Sequence, residues 1–189
     1  MRSIRRLCLL LGMVLATSVA AEDLPTGFGG ITIGMPWGEV EARFPFEPRD
    51  QPVTAWDGFV RECGYRSVRI PAENGELLVE ADDFTVTSVS YVSPIQPGSD
   101  LLAVADLVLR SYGQPDRATQ RDALGQVTLD RAAVQYVTLE YGDPQPVVFT
   151  VAGGALWQYQ VQVRSGQERW HMNRMLRCAR DRERAATPQ

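Results

Sequence analysis

PGSDLLAVADLVLRSYGQP, residues 97–115, is the stretch that decides the fold. Leu101, Leu102, Ala105, Leu109 and Tyr112 recur at helical spacing, and Val104 and Val108 widen the same apolar face. That period belongs to an amphipathic helix with one buried side. Ser99 reads as the N-cap, and Asp100 adds a carboxylate at the positive end of the helix dipole. Gly113 and then Pro115 close it, since glycine leaves the helix easily and proline cannot continue it. After a polar loop over 116–125, the runs 126–130, 134–141, 147–151 and 156–163 carry the Val, Leu, Tyr and Thr content of strands. Gly153-Gly154 is the turn that joins the last two.

The same plan can be read one round earlier, from GGITIGMPWGEVEARFP at 29–45. Residues 22–30 form a lead-in, and Ile31-Thr32-Ile33 alternates as a short strand does. Gly34 supplies a permissive backbone, and Pro36 suits the first turn of a helix. Trp37, Val40 and Phe44 then share one helical face. Residues 46–62 read as an irregular loop with a helical turn at 54–60. Three strands follow at 65–70, 76–81 and 84–92, with Asn74-Gly75 as a hairpin turn. Val86, Val89, Tyr91 and Val92 break strict alternation, so either one bulge or an error of register in this reading is expected. Residues 168–184 read as a terminal helix with Met172, Met175, Leu176 and Ala179 on one face and Cys178 at its edge.

The expected architecture is therefore α+β: an antiparallel sheet system with helices on one face and a C-terminal helix tethered by a disulfide. The expected organisation is a signal peptide at 1–21, an α+β domain at 22–165 and a C-terminal helix and tail at 166–189. Within the domain, 27–95 and 97–165 form two helix-plus-meander rounds. They share a plan rather than a sequence period.

The leader reading rests on three regions: Arg2, Arg5 and Arg6, then an apolar run from Leu7 to Ala16, then the small residues Ser18-Val19-Ala20-Ala21. The apolar run is shorter than the roughly 20 residues a membrane span needs. Cys8 lacks the small preceding residues of a lipid-attachment site. The expected location is periplasmic or secreted, after cleavage behind Ala20 or Ala21. Cys63 and Cys178 then remain as a pair, and in an oxidising compartment they are expected to form a disulfide.

All 19 basic residues are Arg, against 23 Asp and Glu. Residues 164–189 hold seven Arg and three acids, whereas 22–163 hold nine Arg and twenty acids. An acidic body with a basic tail argues against nucleic acid as partner, because phosphate binding needs a broad positive surface. The Arg-rich tail could meet a membrane surface, but such a helix more often presents a solvated face.

GITIGMPWGEV, followed by a helix and a strand meander, resembles small envelope proteins of the SmpA/OmlA (BamE-like) type and β-lactamase-inhibitory-protein-like repeats. The residues that carry the resemblance are Gly34, Met35, Glu39 and Val40 in the first round and Tyr112-Gly113-Gln114-Pro115 in the second. Pro36 stands where those proteins carry a Ser or Thr cap, and no lipobox cysteine sits at the processing site. The resemblance implies a non-enzymatic envelope domain that binds another protein through its sheet or loops.

Motifs for catalysis are missing. His171 is the single histidine, so a Ser–His–Asp or Cys–His mechanism would have to use it. Beside Trp170 on a basic helix, it reads as a surface or packing residue. Asp82-Asp83 reads as an acidic turn between strands, without the spaced ligands of a calcium loop. No metal site and no cofactor are expected, and neither a P-loop nor a nucleophile elbow occurs. The aromatics are the stronger signal, because Trp and Tyr are common binding anchors. Trp157 and Tyr159 alternate with Gln158 and Gln160 and share one sheet face, and Trp37 and Trp56 are further candidates for partner contact. The leading expectation is an exported interaction domain whose partner is another envelope or extracellular protein. A small-ligand carrier with an apolar pocket between sheet and helices is second, and a small hydrolase third.

Overall fold

The computed structural model describes residues 22–44, 55–142 and 145–186, so the expected leader at 1–21 lies outside the described residues. Two short strands open the fold, β1 (Gly27–Phe28) and β2 (Ile31–Thr32), paired antiparallel. Gly29 and Gly30 make the turn between them at φ +59° and +78°, a region where a side chain would be strained. α1 (Trp37–Arg43) follows with Pro36 at its N-cap, and it buries Trp37 and Val40 as the spacing predicts. The helical turn expected at 54–60 is the full helix α2 (Ala55–Glu62).

The remaining elements are β3 (Arg66–Ala72), β4 (Gly75–Asp82), β5 (Thr85–Pro94), α3 (Leu101–Tyr112), β6 (Arg117–Arg121), β7 (Tyr136–Tyr141), β8 (Val147–Ala152), β9 (Gln158–Arg164) and α4 (Glu168–Ala186). The seven strands from β3 to β9 form one antiparallel sheet in the order β3-β4-β5-β9-β8-β7-β6. It is made of two meanders, each preceded by a helix, whose last strands meet at the centre. There Val89 lies opposite Val163, and Tyr91 opposite Val161.

Register decides which side chains meet, because directly paired residues point to the same face of a sheet. Leu77, Tyr91, Val161, Phe149 and Leu139 make one row across five strands. Val79, Val89, Val163 and Val147 make another on the same face. α3 covers one end of this face through Leu101, Ala105 and Val108. α1 covers the other through Trp37 and Val40. The expected irregularity is present: the β4–β5 register shifts between Glu80 and Ala81. The shift turns both Val86 and Val89 inward, which strict alternation could not do.

The opposite face is polar at its centre. Gln160 and Gln162 donate their amides to Ser90 and Ser88 across the β5–β9 boundary, at 3.2 and 2.9 Å. α4 lies against the β4–β5 end of that face. There Met175 and Ala179 pack with Val60 and Cys63 of the α2 region in a separate small core.

Three local expectations are corrected. Residues 117–121, read as loop, form the edge strand β6, whereas 126–130, read as a strand, make only an isolated bridge between Arg121 and Val127. An edge strand with little to bury needs no apolar alternation, and RATQR has none. Val127 and Leu129 do alternate, yet both side chains face solvent. The N-cap of α3 is Asp100 rather than Ser99: its side chain accepts from Leu102 N and Ala103 N, while Ser99 Oγ donates to Gln96 O.

Candidate functional site

The aromatics singled out by sequence do not gather on one surface. Trp37 is 4% exposed beneath α1, and its indole Nε1 donates to Glu41 Oε1 at 2.8 Å. Tyr159 lies on the helix-covered face with its ring 6.3 Å from Phe149. Burial, and then the neighbouring Tyr112 and Tyr141, push its hydroxyl pKa well above the ordinary tyrosine range. Trp157 is half-buried against the same core, beside the start of α3. The Trp56 side chain lies outside the described residues. Packing has therefore claimed Trp37 and most of Tyr159, and only Trp157 borders an open cleft.

α4 is fixed to the rest of the chain by a covalent and an ionic contact. Cys63 and Cys178 form the expected disulfide, with Cα atoms 5.9 Å apart and 115 residues of separation. One and two turns earlier, Arg174 and His171 reach Asp82 at the end of β4. Asp82 is 3% exposed. Its Oδ1 accepts from Arg174 Nη2 at 2.8 Å, and its Oδ2 lies 3.0 Å from His171 Nδ1. Asp83, by contrast, is exposed on the turn. The expected acidic turn between strands holds Asp83 in solvent, whereas Asp82 is the buried last residue of β4. The sequence signal was available: His171, Arg174, Met175 and Cys178 recur at spacings of three and four, which places them along one side of a helix.

This Asp–His pair is built as a clamp. Beside it is a cavity of about 20 Å³, bordered by Tyr65, Glu80, Ser88 and His171, with room for about one water. Ser88 Oγ accepts from Gln162, and Tyr65 Oη donates to Glu80 Oε1 at 2.8 Å. Burial first, and the Glu80 carboxylate second, push the Tyr65 pKa far above its ordinary value. Among the described residues no hydroxyl or thiol hydrogen-bonds the His171 ring. The arrangement lacks the nucleophile contact that a triad requires. No group of three or more His, Cys, Asp or Glu that could hold a metal occurs among the described residues.

The most unusual surface is the loop between β6 and β7, which sequence reasoning missed. Leu124, Val127 and Leu129 are 83%, 67% and 94% exposed. The loop is nonetheless well bonded. Asp122 Oδ1 accepts from Leu124 N and Gln126 N, both at 2.9 Å, and Arg121 Nη1 donates to Gly125 O at 2.6 Å. Thr128 N donates to Gln120 O at 3.0 Å, and Asp130 Oδ1 accepts from Ala132 N at 3.0 Å. Asp122 and Asp130 thus use their carboxylates to hold backbone, while Arg121 and Arg131 stand exposed at the two ends of the segment. Asp122 and Gly125 are the sequence marks of this turn.

No protein-family model matches the chain, and no curated protein or solved structure matches it. No helix among the described residues is long and apolar enough to cross a membrane.

Proposed function

We propose that the chain is an exported, non-enzymatic protein-interaction domain of the bacterial cell envelope. One observation carries this reading: three large aliphatic side chains are held in solvent on a loop whose backbone is fixed by at least five hydrogen bonds. Scattered exposed apolar residues are ordinary; three of them within six residues of one hydrogen-bonded loop favour a contact surface. The partner that fits is a protein with a shallow apolar groove edged by carboxylates, facing Arg121 and Arg131. The leader-like N-terminus and the Cys63–Cys178 bond support an oxidising compartment. A non-enzymatic envelope binding domain is also what the sequence resemblance implies.

The reading is tested by expressing the full chain in a Gram-negative host. N-terminal sequencing of the periplasmic fraction is expected to find a start after Ala20 or Ala21 with Cys63 and Cys178 oxidised. An uncleaved chain retained in the cytoplasm would contradict export. A Leu124→Ser/Leu129→Ser double variant is expected to fold normally and to lose its envelope partner, and undiminished partner recovery would place the contact elsewhere.

A further inference from the structure

A second feature, which shares Arg131 with the interaction loop, lies where the start of α3, residues 131–135 and Trp157 come together. They enclose an open cleft of about 200 Å³. Its apolar wall is Leu101, Leu102, Val134 and the Trp157 indole. Its polar lining is Arg131, Gln135, Ser99 and the Asp100 carboxylate. Neither the Arg131 guanidinium nor the Gln135 side-chain amide, nor the Trp157 indole N–H, has a hydrogen-bond or ion-pair partner among the described residues. Arg131, which is exposed, Gln135 and the Trp157 indole thus offer donors at one small cleft, with the Asp100 carboxylate at its edge.

The backbone at Trp157 points the same way. Its φ is +40°, in the left-handed region where a bulky aromatic is strained. Its carbonyl accepts from Ile95 N at 2.8 Å, which holds the strained residue in place. Strain of this kind persists where the surrounding structure over-determines it, and it clusters at ligand sites. The helix terminus itself is not the site: Asp100 Oδ1 already caps Leu102 N and Ala103 N.

We propose that this cleft binds a small monocarboxylate with a flat hydrophobic body, of the size of an aryl acetate or a free aromatic amino acid. A cleft of about 200 Å³ suits a compact ligand. A guanidinium recognises a carboxylate through two parallel hydrogen bonds, and the Gln135 amide and indole N–H add further donors. The flat body lies against Trp157, with Leu101, Leu102 and Val134 behind it. Asp100 Oδ2, which no backbone N–H occupies, is placed for an α-ammonium group if the ligand carries one.

The test is a titration of the full, oxidised protein with phenylacetate, with L-phenylalanine and with the uncharged 2-phenylethanol, read on the Trp157 indole N–H resonance. The resonance is assigned by comparison with Trp157→Phe. Saturable shifts are expected with at least one of the two carboxylates, at a Kd below about 1 mM and at least about tenfold tighter than 2-phenylethanol. Arg131→Gln, a change at an exposed side chain, is expected to weaken the carboxylate about tenfold or more and leave 2-phenylethanol unchanged. Preference for L-phenylalanine over phenylacetate that disappears in Asp100→Asn, a residue that still caps α3, assigns the ammonium contact. Absence of saturable shift with both carboxylates at about 10 mM, or equal binding of 2-phenylethanol, or no loss in Arg131→Gln, would overturn the proposal.

Discussion

Arg174 holds Asp82 at two points, with Nη2 2.8 Å from Oδ1 and Nε 3.3 Å from Oδ2, and so ties the first half of α4 to the end of β4. A nearly buried carboxylate is tolerable because this fork and His171 replace the water it gives up. Cys63–Cys178 ties the same helix one turn further on. The two contacts hold a helix whose own sequence is too polar to dock by burial alone.

Asp82→Ala is therefore expected to cost about 1–3 kcal/mol, because it leaves Arg174 and His171 without their shared acceptor. The loss should be local. Amide exchange in α4 should accelerate while β5 and β9 keep their protection, and equal loosening of sheet and helix would show that the clamp has been misread.

Replacing both Cys63 and Cys178 by Ser is expected to lower stability by about 2–4 kcal/mol, since a closed loop this long strongly restricts the unfolded chain. Chemical denaturation of the oxidised and variant proteins measures it. A difference within error would mean that the unfolded state is already compact.

At the centre of the α3-covered core, Phe149 sits with ring centroids 5.0 Å from Tyr112 and 5.6 Å from Tyr141. Phe149→Ala should cost about 3–5 kcal/mol, the range for a buried aromatic replaced by a cavity. A loss under 1 kcal/mol would show that this core collapses around the gap or is less tightly packed than described.

The alkaline limb of stability carries a sign that can be worked out. Burial, and next Glu80, raise the Tyr65 pKa in the folded protein. An unfolded tyrosine ionises near about pH 10 while the folded one stays protonated. The unfolded state then binds fewer protons, so stability is full below about pH 10 and falls as pH rises above it. Tyr65→Phe should flatten that fall. A variant whose stability declines above pH 10 as steeply as the parent would assign the limb to Tyr159 and its neighbours instead.

Much of the fold could be read from sequence because it follows from period. The α3 stripe from Leu101 to Tyr112, the Trp37 and Val40 face of α1 and the irregular Val86–Val89 spacing each predicted a buried contact that the structure contains. What escaped reading depended on tertiary placement. RATQR carries no burial signal because it forms the sheet edge, and the Val127 and Leu129 alternation imitates a strand while both residues face solvent. Asp82 and Asp83 are identical in type and adjacent in sequence, and only the end of β4 and the approach of α4 bury the first. The candidate sites were legible only in part. Trp157 was singled out for its aromatic ring, but its neighbours Arg131 and Gln135 come from another segment, and no local pattern joins them.

The most direct test of the interaction reading is photo-cross-linking from Val127, at the middle of the exposed trio. A photoreactive residue there, in the mature protein within its own envelope, is expected to give one discrete protein adduct. That adduct should vanish when Leu124 and Leu129 are also changed to Ser, since surface changes of this kind alter stability by no more than about 0.5 kcal/mol. The same probe at Ala103, on the exposed side of α3, should give none. A blank at Val127, or an adduct that survives the loss of both leucines, would contradict the claim that this loop is the contact surface.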